Sequence, residues 1–123
     1  MTIIMQSISD DEKGPLRNLM AALQPLRELS ERLPLSIVMA FIGVALKENR
    51  SLGEYAVDGG FSLSVASKLF ADLGSVNRWG EPGFGLIDTR PDGRATATKL
   101  TPVGSAMVGR IVRSLEYRSA TLR

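Results

Sequence analysis

Residues 51–74 read SLGEYAVDGGFSLSVASKLFADLG, and the reading of this stretch decides the fold. Ser51 stands three residues before Glu54, the Ser-x-x-Glu spacing in which two side chains satisfy each other's backbone donors at a helix start. A short helix is therefore expected from Ser51, ending at Asp58-Gly59-Gly60, where glycine takes positive φ without steric cost. Ser62 then offers a second N-cap, and Ala66, Leu69, Phe70 and Leu73 recur at steps of three and four residues, which marks one buried helical face. The other face carries Ser64, Ser67 and Lys68, small polar and basic groups near a helix N-terminus, where a DNA-reading helix meets base edges and phosphates. Two short helices joined by a glycine turn predict a helix-turn-helix. The competing reading of these residues alone is a pair of core helices in an ordinary helical bundle.

Working outward toward the N-terminus, the run PLSIVMAFIGVAL at residues 34–46 is shorter than the ~20 residues a membrane span needs. It is apolar nearly all round, as expected of a helix contacted on several sides. From Pro15, Leu16, Leu19, Met20, Leu23, Leu26 and Leu29 keep helical spacing, with Asp10, Asp11 and Glu12 ahead of them to complement the helix dipole. That acidic cluster reads as a helix start rather than a metal site. Pro25 removes a backbone donor, so a kink or split is expected there. Residues 1–14 read as a flexible arm and residues 15–123 as a single domain.

Toward the C-terminus, GSVNRWGEPGFG reads as a loop. Its glycine spacing is no dinucleotide fingerprint, because no strand precedes it and a strand rather than a helix follows. Trp79, the only tryptophan, is expected to anchor this loop on the core. Residues 86–90, a Pro91-Asp92-Gly93 turn and residues 94–100 read as a β-hairpin with Arg90 and Arg94 beside its tip and Lys99 further along. Thr101 and Pro102 then suit the N-cap and first position of a closing helix. Met107, Val108, Ile111, Val112 and Leu115 form its apolar stripe, and Arg110, Arg113, Arg118 and Arg123 outweigh Glu116 there.

Composition narrows the function. With no Cys and no His among 123 residues, thiolate nucleophiles, imidazole bases and Cys/His zinc sites are excluded, so no catalytic residue, metal or cofactor is expected. A net charge of +2 with a pI near 9.3 suits a polyanionic partner without demanding one. The N-terminus lacks the basic start and small-residue cleavage site of a signal peptide, and a cytoplasmic protein without a membrane partner is expected.

The order helix-turn-helix, β-hairpin wing and closing helix resembles the winged helix-turn-helix regulators of the MarR family. The matching residues are Phe61-Ser62-x-Ser64-x-x-Ser67-Lys68 with Leu73, Gly85-Leu86-Ile87, Arg94, and Leu100-Thr101-Pro102-x-Gly104, over roughly residues 34–113. The resemblance implies a mainly α fold with a small β-hairpin wing. It implies a transcriptional regulator, a repressor, acting as a homodimer on palindromic double-stranded DNA. Carried over by position, Ser62, Ser64, Ser67 and Lys68 would face the major groove, with Arg90, Arg94 and Lys99 beside the phosphates. The wing is short and carries less positive charge than is usual in the family, and the family's further helix after the closing one is not seen, so the mode of dimerisation is left open: the N-terminal and C-terminal helices either pack on the chain's own core or form a dimer seam. Whether a small molecule acts on the protein is not decided by the sequence. The alternative is a winged-helix module that binds another protein, as an antiactivator or assembly factor.

Overall fold

The computed structural model describes residues 7–77, 79–92 and 95–117, without the side chains at 91, 92, 95 and 96. Five helices and one hairpin follow in the order α1 Asp10–Leu29, α2 Leu35–Leu46, α3 Leu52–Gly59, α4 Leu63–Leu73, β1 Ile87–Asp92, β2 Ala95–Leu100 and α5 Pro102–Glu116. No described helix is long and apolar enough to cross a membrane.

The first helix begins earlier than Pro15. Ser9 and Glu12 form a capping box, the Ser9 hydroxyl accepting from the Glu12 N–H at 3.3 Å and a Glu12 oxygen accepting from the Ser9 N–H at 3.1 Å. Asp10, Asp11 and Glu12 thus lie inside the first turn rather than ahead of it, still at the positive end of the dipole. Pro25 does not split the helix, which runs unbroken through both Pro15 and Pro25. Pro25 is buried together with Ala22 and Leu26, and α1 packs along α5, so tertiary contact holds the helix across the missing backbone donor.

Helix α2 supplies the centre of the core. Phe41 and Val44 are wholly buried and belong to one cluster with Leu26, Ile37, Tyr55, Leu69, Phe70, Leu73, Leu86, Ile87 and Met107. Its apolar surface is not covered on every side, however, because Leu35, Met39, Ile42 and Leu46 are exposed. Their spacing of four, three and four residues places them in one stripe along the helix.

Helix α3 starts as its sequence predicts. Ser51 and Glu54 form a second capping box, with the Glu54 N–H donating to the Ser51 hydroxyl at 3.2 Å. It ends at Gly60, which has φ 73°, and a side chain on Gly59 would strike the Phe61 ring. The Tyr55 hydroxyl donates to the Lys47 carbonyl and accepts from the Arg50 N–H, while its ring lies 5.2 Å from that of Phe70. The start of α3 is thereby tied to both α2 and α4.

After α4 the chain doubles back along it. The N–H groups of Phe84, Gly85 and Leu86 donate to the carbonyls of Asp72, Gly74 and Leu73. Trp79 is not an anchor: it is 70% exposed, at the end of a loop folded around the Asn77 side chain, whose oxygen accepts from the Trp79 and Glu81 N–H groups. Of the residues that follow, Leu86 is buried in the core and Phe84 packs against it.

The hairpin is antiparallel, with register from Ile87↔Leu100 to Asp92↔Ala95. Pro91 and Asp92 belong to the first strand rather than to a turn, and the connection falls at residues 93 and 94, outside the described residues. The α2–α3 connector clasps the second strand. Asn49, a non-glycine residue with φ 65°, donates its N–H to the Thr98 carbonyl at 2.8 Å, and the Glu48 carboxylate accepts from the Leu100 N–H at 2.8 Å. Entry to α5 explains the Leu-Thr-Pro-x-Gly spacing. The Thr101 hydroxyl accepts from the Gly104 N–H at 3.0 Å and donates to the Gly85 carbonyl at 2.6 Å, Pro102 occupies the first turn, and a side chain at Gly104 would overlap the Leu86 carbonyl.

Candidate nucleic-acid interface

Helix α4 is divided into two faces by its own sequence. Ala66, Leu69, Phe70 and Leu73 are buried, and α4 packs chiefly against α2 and α3. Ser62, Ser64, Ser67 and Lys68 are all exposed on the remaining surface. The Ser62 hydroxyl accepts from the Val65 N–H at 3.1 Å, which satisfies one of the unpaired donors of the first turn. The other early N–H groups of α4 point out of the helix N-terminus, a favourable place for a phosphate oxygen. Leu63 and Val65, which the sequence reading did not select, are exposed on the same two turns. Spacing could have found Val65, which lies off the three-and-four spaced stripe that builds the core, but not Leu63, which is three residues before Ala66 and seven before Phe70 and so continues that stripe.

Alternation along the hairpin separates its faces. Ile87 and Thr98 are buried, and the Thr98 hydroxyl lies 3.1 Å from that of Thr89, so this side faces the core. Asp88, Arg90 and Lys99 stand on the opposite side, Asp88 opposite Lys99 in the register. Arg90 is not an unopposed cation, because its Nε donates to the Asp88 carboxylate at 2.6 Å. Its side chain is 82% exposed, and an exposed ion pair is worth only ~0–1 kcal/mol, so a phosphate can compete for the guanidinium. Arg94 lies outside the described residues.

Helix and hairpin meet at a groove of about 400 Å³, lined among others by Ser67, Ala71 and Ser75 on one side and by Asp88, Thr89 and Thr98 on the other. Ser67 and the first hairpin strand are thus brought to one surface. Arg90 and Lys99 instead line a separate recess with Asp88 and Pro102. The acidic groups with altered titration are structural. The Arg50 guanidinium, then the Ser51 N–H and hydroxyl, hold Glu54 below the usual carboxylate range, and the Ser9 N–H and hydroxyl do the same for Glu12. Burial pushes the Tyr55 phenol up. Among the described residues no cluster of acidic side chains has the arrangement of a metal site.

This geometry has solved counterparts. The chain aligns with the crystal structure of RV1404 from Mycobacterium tuberculosis at TM-score 0.61 and 16% identity, covering 78% of this chain and 62% of that one. A MarR family transcriptional regulator from Silicibacter pomeroyi aligns at TM-score 0.56 and 18% identity, over 84% of this chain and 64% of its own. A further MarR family transcription regulator aligns at TM-score 0.57 and 17% identity, over 89% and 75%. The chain thus spans less than two thirds of the length of the first two. No protein-family model and no curated protein matches the sequence.

Proposed function

With the winged helix-turn-helix fold of MarR family regulators as premise, we propose that this chain is a cytoplasmic, sequence-specific DNA-binding repressor. The single observation that supports it best is the division of α4, whose N-terminal turns leave Ser64, Ser67 and Lys68 exposed while the opposite face builds the core. In this reading α4 enters the major groove, and Arg90, Arg94 and Lys99 of the wing neutralise phosphates.

The active species is a homodimer. On α1 the apolar side chains of Leu16, Leu19, Met20 and Leu23 remain exposed, as do Val112 and Leu115 on α5. The two helices are locked to each other by Arg110 with Glu28 and by the Asn18 amide on the Leu115 and Tyr117 carbonyls. A rigid helical pair with an uncovered apolar side suits an isologous seam. Two-fold symmetry then sets half-sites about 10 base pairs apart.

Fluorescence anisotropy with duplex DNA from upstream of the protein's own gene, against scrambled duplex, tests the reading. Four cations per protomer give roughly eight phosphate contacts per dimer, so affinity should fall on the order of 10⁴-fold between 50 and 200 mM salt. Weak binding that ignores both sequence and salt overturns it. A second reading, a winged-helix module that binds a protein as antiactivator or assembly factor, draws on the Asp88 carboxylate opposing Arg90 and the bare apolar stripe of α2. That outcome of the anisotropy experiment would favour it.

A further inference from the structure

We infer that the reading helix recognises thymine through its 5-methyl group, with Leu63 and Val65 as the specificity-determining side chains. The inference rests on the DNA-binding reading above. Its observation is what the first two turns of α4 expose: Leu63, Ser64, Val65, Ser67 and Lys68. None of these is Arg, Asn or Gln, and the rest of the helix adds only Leu69, Phe70, Ala71, Asp72 and Leu73. The helix therefore lacks every side chain that makes paired hydrogen bonds to guanine or adenine except Lys68.

Serine does not replace them. A hydroxyl donates or accepts as required, so Ser64 and Ser67 can meet any base edge and discriminate weakly. The Ser62 hydroxyl is already the cap of the helix. With Lys68 assigned to a phosphate in the reading above, discrimination falls to the apolar pair. Leu63 is 59% exposed and Val65 41% exposed, and neither belongs to the core cluster. They flank the Ser64–Lys68 surface, one on each side, at 100° per residue around the helix. In a major groove the only apolar feature of a base pair is the thymine methyl, and an aliphatic side chain set against it removes both from water. Small serines between the two aliphatic groups allow the helix backbone to approach the bases closely. The ligand class is thus a half-site with thymine at the positions facing Leu63 and Val65.

The test begins by selecting tight-binding duplexes from a random library with the wild-type protein. Each thymine of the selected half-site is then replaced by deoxyuridine, which deletes only the methyl, and affinity is read by anisotropy at constant salt. At least one replacement should weaken binding about fourfold per half-site, the equivalent of ~0.8 kcal/mol for one buried carbon group. Replacement in both half-sites should multiply the losses to roughly sixteenfold. The Leu63→Ala/Val65→Ala variant, checked for folding by circular dichroism, should bind thymine and deoxyuridine duplexes equally. Wild-type binding indifferent to every replacement overturns the inference while leaving DNA binding intact, as does a variant that keeps the thymine preference. Selection that enriches no duplex overturns the DNA-binding reading itself.

Discussion

The same substitution, glycine to alanine inside a helix, should have opposite effects at Gly104 and Gly43. A Cβ at Gly104 would overlap the Leu86 carbonyl oxygen and come within 3.0 Å of its carbon and 3.3 Å of the Leu86 Cα. All three atoms are backbone, so no flexible side chain can yield. The same carbonyl accepts the Thr101 N–H at 3.0 Å, so displacing it also strains the entry to α5. Overpacking of this kind costs about 1–3 kcal/mol, and a weakened hydrogen bond adds up to about 1 kcal/mol. The better helix propensity of alanine offsets about 0.5–1 kcal/mol. A net loss of about 2 kcal/mol is expected, or roughly 8 °C in Tm for a chain of this size. At Gly43, in the middle of α2, a Cβ would meet nothing within 4 Å. Only the propensity term remains, and Gly43→Ala should stabilise by about 0.5–1 kcal/mol. Urea denaturation followed by helical circular dichroism measures both. If the two variants shift the midpoint in the same direction, or Gly104→Ala leaves it unchanged, the close approach of α5 to the Leu86 carbonyl is wrong.

Four further outcomes follow from the geometry. Lys68→Ala should leave stability within about 0.5 kcal/mol while lowering the salt slope of DNA binding by about two, one phosphate per half-site; equal loss of folding and binding would contradict its surface placement. Glu48→Ala should remove the acceptor of the Leu100 N–H, destabilise by about 1 kcal/mol and speed hydrogen exchange at that amide, whereas an unchanged exchange rate would show that the carboxylate does not hold the wing. Met20→Glu on the exposed side of α1 should shift sedimentation from dimer to monomer, and a persisting dimer would place the seam elsewhere. Because the folded values of Glu12 and Glu54 are lowered, the stabilisation they provide is complete above the ordinary glutamate value of about 4.3 and is lost as pH falls through the folded values. Helix starts α1 and α3 should therefore loosen only in acid, and carboxyl titrations by NMR at or above ordinary glutamate values would refute the capping boxes.

Local chemistry was legible wherever a neighbour in sequence satisfies a neighbour. Ser51 with Glu54, the glycine stop of α3, Ser62 at the start of α4 and Thr101 at the start of α5 all involve groups within a few residues of one another. Ser9 with Glu12 carries the same signature and places the start of α1 at Asp10. The apolar periodicity begins only at Leu16, after Pro15, so the helical face alone does not mark the first turn that Ser9 caps. Periodicity likewise identified the buried face of α4, since Ala66, Leu69, Phe70 and Leu73 share one side of any helix they form. It also left Val65 off that side, whereas Leu63, three residues before Ala66 and seven before Phe70, continues the stripe by spacing and is exposed all the same.

Sequence by itself determined the element order, the caps and the helix-turn-helix with its hairpin, because hydrogen bonds and helical faces are set over a few residues. Tertiary structure alone decided which apolar groups stay in water. Trp79 is exposed while Leu86 is buried in the core and Phe84 packs against it, and the Leu35–Met39–Ile42–Leu46 stripe stays exposed, with Met39, Ile42 and Leu46 lining an open groove beside Tyr55, Gly59 and Phe61. It also decided that Pro25 sits within an unbroken helix, that Asp88 meets Arg90, and that Glu48 and Asn49 hold a strand about fifty residues away in sequence. Such contacts depend on how whole elements pack together, and no residue spacing along the chain encodes the distance between two elements.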